Sequence, residues 1–237
     1  MTSTNLINAI KETLSLCYYK NYAACSGAVH NISKHEDAIA DVLIKHGFEE
    51  VNRCKTNFWA KAPKSQKISQ KDFWKNHLTP NWIPDLPNNT FIQQPFGTHA
   101  CPDFIIKWNN ILFPLEAKSV DGKNDSPLYN GGLPKPNCVY AFCCSKYNKT
   151  TIFRGCDVMN EDKRQRFLEH HKKIKALCDE FTENEMKDDP LNRGFTYYDR
   201  AMYQQKKTLS GISKDYFKHP DREKCEQAVF NWIKTLY

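Results

Sequence analysis

Three residues near the middle of the chain, Asp103, Glu116 and Lys118, have the types and spacing of a reactive centre. Glu116 and Lys118 are two residues apart in the hydrophobic segment FPLEAKS, so on a strand their side chains leave from the same face. The preceding segment DFIIKW is joined to it by Asn109 and Asn110, which tolerate the positive φ of a two-residue hairpin turn. In that register Asp103 stands directly across from Glu116, as a non-hydrogen-bonded pair with Cα atoms about 4.5 Å apart. The sequence therefore predicts that two carboxylates and one ammonium meet on one face of a hairpin.

Two carboxylates placed this closely repel each other, so a fold selected only for stability would avoid the pair. A divalent cation reverses that effect, because converging carboxylates and a main-chain carbonyl are ligands that Mg²⁺ takes. Beside such an ion, the Lys118 ammonium could orient an attacking water, lower its pKa or hold a phosphate. The pattern indicates metal-assisted phosphodiester hydrolysis. The alternative is that Asp103 is a turn residue after Pro102 and that Glu116 and Lys118 form an exposed ion pair.

The surrounding segments predict an α/β fold with a mixed central β-sheet flanked by helices. Apolar residues within 33–47 recur with the spacing of a helix, and this predicted helix has Ser33 as its N-cap and ends at Gly47. A short strand is expected near residues 48–51. Pro114 lacks an amide donor and predicts a bulge or distortion in its strand. Five further segments are rich in β-branched and aromatic residues and are predicted strands: TFIQQPF, DFIIKW, ILFPLEAKS, VYAFCC and TTIFRG.

Two amphipathic helices are predicted in the C-terminal third. REKCEQAVFNWIKTLY places Cys225, Val229, Ile233 and Leu236 on one face. EDKRQRFLEHHKKIKALCDEF does the same with Phe167, Leu168, Ile174, Leu177, Cys178 and Phe181.

The whole chain, residues 1–237, is predicted to be a single domain. It divides into a core at 33–156, a basic insertion at 52–89 within that core, and a helical extension at 157–237. Between residues 51 and 80 there are seven lysines or arginines against one acid. This basic stretch fits nucleic-acid contact, and it equally fits an irregular solvated loop.

Pro102-Asp103, followed by Glu116-Ala117-Lys118, resembles the motif of the PD-(D/E)xK nuclease superfamily. The longer stretch QQPFGTHACPDF followed by EAKS is similar to the core of a type II restriction endonuclease, and the predicted helix at 33–47 resembles the first core helix of that family. The likeness covers roughly residues 33 to 156. It implies a restriction-endonuclease-like fold for that part of the chain.

The resemblance also implies a role for each motif residue. Asp103 and Glu116 would bind Mg²⁺ with help from the Ala117 carbonyl, and Lys118 would lie near the attacking water. Glu36 would be an additional acid at the site. The alternative for Glu36 is structural, because S-x-x-E from Ser33 is a capping box in which the glutamate accepts from backbone donors.

The polar segment after the motif, SVDGKNDSPLYNGGLPKPN, leads from the catalytic end of the predicted sheet and could lie in a DNA groove. Lysines there suit phosphates, and polar side chains can donate and accept at base edges. The alternative is a surface loop stabilised by Asx turns. The candidate DNA-binding residues are Lys123, Asn124, Ser126, Tyr129, Asn130 and Lys135.

Composition bears on the partners, the cysteine chemistry and the location of the protein. The formal charge of +7 permits a polyanionic partner without requiring one. Ten cysteines without a C-x-x-C pair or a secretory signal argue against a disulfide scaffold and a zinc ribbon. There is no run of eighteen apolar residues. We therefore expect a cytoplasmic protein with no membrane partner and no small-molecule cofactor beyond the metal.

Together these features predict a Mg²⁺-dependent type II restriction endonuclease that cuts a specific sequence in double-stranded DNA. Cutting both strands of a palindrome needs two active sites, which a symmetric homodimer would supply through the helices from residue 161 onward. Two alternatives stay open. One is a junction resolvase or repair nuclease of the same superfamily, and the other is a DNA-binding protein without catalysis.

Overall fold

The computed structural model describes residues 4–18, 34–82, 86–121, 125–191, 193–197, 202–205 and 211–236. Six strands form one open, mixed sheet: β1 (Glu49–Glu50), β2 (Thr90–Gln93), β3 (Phe104–Trp108), β4 (Ile111–Val120), β5 (Val139–Cys144) and β6 (Lys149–Arg154), paired in that spatial order. The helices are α1 (Asn5–Thr13), α2 (Lys34–Lys45), α3 (Gln70–Asn76), α4 (Gly155–Val158), α5 (Glu161–Lys187) and α6 (Arg222–Lys234), and a 3₁₀ turn spans Arg53–Lys55. The predicted α/β class, with a mixed sheet flanked by helices, is confirmed.

The hairpin of β3 and β4 has the register that the sequence predicted. Trp108 pairs with Ile111 next to the turn, and the antiparallel ladder continues to Phe104 and Leu115. The Asn109–Asn110 turn has φ of 45° and 62° at its two residues. On its other side β4 pairs in parallel with β5, so β4 is an interior strand.

Pro114 does not distort β4, so the predicted bulge is wrong. The register runs without a break from Phe104 to Trp108 opposite Leu115 to Ile111. Counted from the turn, Pro114 and Ile105 form a non-hydrogen-bonded pair, so the proline nitrogen points away from β3. On that far side the pairing with β5 begins only at the next residue. No ladder hydrogen bond therefore requires an amide donor at Pro114.

Alternation along β4 separates an apolar face from the face that carries the motif. Phe113, Leu115 and Ala117 belong to the largest hydrophobic cluster, which α1, α2 and α6 cover. Glu116 and Lys118 leave from the opposite face. Two smaller apolar clusters cover that face, and Leu112 belongs to one and Val120 to the other. The motif side chains thus lie along β4 between two separate clusters.

Packing of the sheet extends beyond the range 33–156 that the sequence assigned to the core. Leu6 and Ile10 of α1 and Val229 and Ile233 of α6 are fully buried in the main cluster. The sequence did not predict α1. The basic insertion also contributes to the core, because Phe73 of α3 is fully buried. Within the described residues, no helix is both long enough and apolar enough to cross a bilayer.

Candidate active site

Asp103 and Glu116 lie side by side, and reciprocal hydrogen bonds join their strands. The Asp103 amide donates to Glu116 Oε2 at 3.0 Å. The Ala117 amide donates to Asp103 Oδ2 at 2.9 Å. The two carboxylates therefore approach each other as the hairpin register predicted, just where β3 begins.

Lys118 joins this pair from the same face of β4. Its Nζ donates to Glu116 Oε1 at 2.5 Å, and the Glu116 side chain is only 6% exposed. Burial lowers the pKa of Lys118, but the Glu116 and Asp103 carboxylates outweigh burial and raise it overall. Lys118 is therefore an ammonium at neutral pH. The ion pair is largely buried, which removes the alternative of a solvent-exposed pair.

The first turn of α2 brings Glu36 to the same place. The neighbouring His35 is fully buried, with its Nε2 3.4 Å from the Ala141 carbonyl of β5. Glu36 Oε2 accepts a hydrogen bond from Gln94 Nε2 at 3.1 Å. The predicted capping residue Ser33 lies outside the described residues, so the capping alternative has no structural outcome.

These groups line one polar pocket of about 180 Å³. It contains three acids, Glu36, Asp103 and Glu116, and one lysine, Lys118. Among the residues that the structure describes, the pocket is lined by Glu36, Thr98, His99, Ala100, Cys101, Asp103, Glu116, Ala117, Lys118, Asn130 and Gly131. The pocket thus gathers every catalytic and metal-binding candidate that the sequence singled out.

The pocket has an excess of acidic side chains, and their proximity and burial shift the pKa values of two of them. Burial raises the pKa of Asp103 well above its ordinary value, and the nearby Glu116 and Glu36 carboxylates raise it further. Burial also raises the pKa of Glu36, with a further contribution from Glu116, while the Gln94 hydrogen bond opposes this rise. The folded protein therefore holds these carboxylates at an electrostatic cost, which a bound cation would lower.

The donor set fits a hard cation. Asp103 and Glu116 supply carboxylate oxygens, and an oxygen that already accepts one hydrogen bond has a second lone pair for a metal. The Ala117 carbonyl points to the same side of β4 as its amide, which is the side of Asp103. No group of three or more His, Cys, Asp or Glu side chains in the described parts of the chain is arranged to hold a metal. A cation here would be bound by two side chains and one main-chain carbonyl.

The candidate DNA-binding residues are spread over different environments. Lys123 and Asn124 lie outside the described residues. Asn130 is exposed and lines the pocket, and Lys135 is half-buried with its Nζ 5.7 Å from the centre of the Trp74 ring.

Ser126 and Tyr129 are buried, with 5% and 4% exposure. The Tyr129 main chain pairs with Tyr203, and its hydroxyl lies 3.2 Å from that of Tyr216. In this conformation the protein encloses both side chains, so we do not include them in the DNA surface proposed below.

Sequence reasoning missed Gln94, which joins three parts of the site. Its amide donates to the Asp103 carbonyl at 2.6 Å and its side chain donates to Glu36. Its carbonyl accepts from Arg53 Nη1 at 3.2 Å, and Arg53 stacks over Trp59 at 4.3 Å. Gln94 follows β2, whose antiparallel register with β3 places it opposite Asp103. Residues 94–103 connect β2 to β3, so no two-residue turn fixes this register in the sequence.

Comparison of the chain with protein-family models, curated proteins and solved structures finds no match.

Proposed function

We propose that this protein is a Mg²⁺-dependent endonuclease that hydrolyses phosphodiester bonds in double-stranded DNA, of the type II restriction class. The observation that carries the proposal is the meeting of Asp103, Glu116 and Lys118 in one polar pocket, with Glu36 at its edge. Glu116 and Lys118 lie on the interior strand β4, Asp103 lies just before β3, and Glu36 lies in the first turn of α2, which packs on the sheet. We also propose that β2 to β6 and α2 form a restriction-endonuclease-like core.

In this proposal Asp103, Glu116 and the Ala117 carbonyl would hold the metal. Bound Mg²⁺ would neutralise the carboxylates and stabilise the charge that develops on the phosphate oxygens. Lys118 is an ammonium, so it acts as a positive charge and a hydrogen-bond donor beside the attacking water or the scissile phosphate. It does not act as a base. Gln94 would orient Glu36, the remaining acid of the pocket, through their hydrogen bond.

The DNA would approach the side of the pocket where Asn130 and the start of the basic insertion lie. Arg53 contacts Gln94, which in turn contacts Asp103, so the first arginine of the insertion is two contacts from a metal-binding candidate. Its side chain is partly exposed and lines an open polar groove with Asn52 and Gln93. Arginine suits phosphates and guanine edges, and asparagine and glutamine suit adenine edges.

A plasmid digest tests the activity and separates the alternatives. We expect the full chain to convert a supercoiled plasmid into discrete linear fragments with Mg²⁺ and to leave it intact with EDTA. A smear, or nicking only at junctions, would favour a resolvase or repair nuclease. A salt-dependent mobility shift without cleavage under any divalent metal would show a DNA-binding protein and overturn the proposal.

Replacing Glu36 with glutamine should lower the single-turnover cleavage rate by about 10- to 100-fold, the usual effect of groups that support metal ligands. Glutamine keeps the shape and an oxygen that accepts from Gln94, so the loss measures the charge. Asp41→Asn, at an exposed position of the same helix, is the matched control and should cleave like wild type. Equal rates for Glu36→Gln and wild type would restrict Glu36 to a structural role.

A further inference from the structure

Helix α5 is 27 residues long, or about 40 Å, and it presents large apolar side chains to solvent. Among its described side chains only Arg164 is buried. Leu177 is 67% exposed and Phe181 is 54% exposed. Together with Phe167, Leu168 and Ile174, they form what we call the α5 stripe. Exposed apolar surface of this extent, repeated along one helix, is typical of a surface that binds another protein.

Three of the five residues of the α5 stripe are spaced symmetrically about its centre. Phe167, Ile174 and Phe181 recur every seven residues, which places them along one line of the helix. Phe167 and Phe181 are therefore equidistant from Ile174. If a second α5 lay antiparallel across the first with a two-fold axis at Ile174, each Phe167 would meet the Phe181 of the other copy.

Charged residues are distributed unevenly along α5, with more basic than acidic residues before Ile174 and more acidic than basic residues after it. Residues 161–173 carry five lysines or arginines and three acids, whereas residues 175–187 carry four acids and two lysines. Lys163 and Glu185 lie eleven residues on either side of Ile174, on the side of the helix that bears the α5 stripe. Antiparallel pairing brings each Lys163 to a Glu185, whereas parallel pairing would oppose like charges.

A pocket next to the N-terminal end of the α5 stripe supplies a place for the incoming aromatic ring. It has a volume of about 280 Å³ and is lined by Phe167, Leu133 and Tyr203 among others. The Phe167 ring already packs against Tyr203, with centroids 6.0 Å apart. The Phe181 side chain of a second copy is of the right chemistry to fill this space.

We infer that the occupant of the α5 stripe is a second copy of this chain, paired antiparallel through α5 about a two-fold axis at Ile174. The pairing involves only α5 and its adjacent pocket. It deepens the proposed function, and rests on it, only in supplying the second active site that a double-strand cut needs.

Light scattering after size-exclusion chromatography of the full chain tests the pairing. We expect wild type to have twice the monomer mass of 27.6 kDa. Ile174→Asp places like charges against each other on the axis and should raise the dimer dissociation constant by about 100-fold or more. Ala176→Asp, exposed on the opposite face of the same helix, is the matched control and should stay dimeric.

Charge reversal tests the antiparallel register itself. Glu185→Lys should weaken the dimer because it would then face Lys163, and the double variant Lys163→Glu with Glu185→Lys should restore it. A double variant as weak as Glu185→Lys would overturn the register. A wild-type monomer with and without duplex DNA, or an Ile174→Asp variant that stays dimeric, would overturn the pairing. Loss of DNA affinity in an Ile174→Asp variant of unchanged mass would identify α5 as a DNA clamp instead.

The experiments can contradict the α5 pairing and the nuclease activity independently of each other. A dimer that cuts no DNA leaves the pairing intact and removes the nuclease. A monomer that still gives discrete fragments removes the pairing and leaves the nuclease.

Discussion

Replacing Lys118 with methionine should lower the single-turnover rate of DNA cleavage by about 10²- to 10³-fold, while leaving DNA affinity within about threefold of wild type. Lys118 is the only lysine or arginine among the described residues that line the pocket. Methionine keeps the length of the side chain and removes the charge that would stabilise the reacting phosphate. Rates are measured with Mg²⁺ in excess, and affinity is measured by mobility shift in its absence.

Lys107→Met is the matched control for this substitution. Lys107 is also a buried lysine of the hairpin, 3% exposed, but its Nζ donates to the Asn110 carbonyl at the turn, away from the pocket. Burial lowers the pKa of Lys107, so the loss of its charge should be well tolerated. We expect near wild-type cleavage from this variant. Cleavage by Lys118→Met at the rate of Lys107→Met would reduce the Lys118–Glu116 ion pair to a structural contact.

The part of the site that the sequence could predict is local in the chain. Asp103 and Lys118 belong to the same hairpin, and the turn residues Asn109 and Asn110 fix the register of its two strands. Because side chains alternate with a period of two, a fixed register also fixes which groups share a face. The meeting of Asp103 with Glu116 followed from these two rules alone.

The contacts that the sequence could not predict depend on distant segments. Gln94 contacts Glu36 across 58 positions of the chain, and this contact depends on how α2 packs over the sheet. Tyr129 lies in a segment whose polar composition predicted exposure, yet its hydroxyl lies beside Tyr216, 87 positions away. Composition describes the average solvation of a segment and does not determine which of its side chains turns inward.

Helix α5 shows a further limit of prediction from the sequence. Periodicity predicted an apolar face, and the helix has one, but periodicity does not say what covers that face. In α6 an equivalent face packs on the sheet, where Val229 and Ile233 are fully buried. In α5 it is exposed to solvent. The same sequence signal thus leads to core packing in one helix and to an uncovered surface in the other.

Replacing Asp103 with asparagine should abolish cleavage and at the same time stabilise the metal-free protein. The pKa of Asp103 is raised by burial and by its acidic neighbours, so the folded state binds a proton here more tightly than the unfolded state does. The stability that this proton contributes is present below the ordinary pKa of an aspartate. It is lost as the pH rises from that value through the raised pKa of the folded state. Asparagine does not ionise, and its oxygen can still accept from the Ala117 amide.

The variant should therefore melt at nearly the same temperature as wild type near pH 4 and at a higher temperature at pH 8, when both are measured in EDTA. The gain in Tm of the variant over wild type should grow as the pH rises between these two values, because wild type progressively loses the stability that the Asp103 proton contributes. Thermal melts across this pH range measure it. Asp41→Asn, at an exposed aspartate, is the control and should show no gain that grows with pH.

Adding Mg²⁺ should make wild type melt at a higher temperature than the Asp103→Asn variant, the reverse of the order expected in EDTA at pH 8. Wild type gains stability from the ion in proportion to the logarithm of its concentration, because the ion binds the folded state. The Asp103→Asn variant lacks one of the two ligand carboxylates, so its Tm should rise much less over the same titration. Equal rises in Tm for the two proteins would show that Mg²⁺ binds elsewhere. A variant less stable than wild type at pH 8 in EDTA would show that the Asp103 carboxylate stabilises the fold, and its place in the pocket would then have a structural reason rather than a catalytic one.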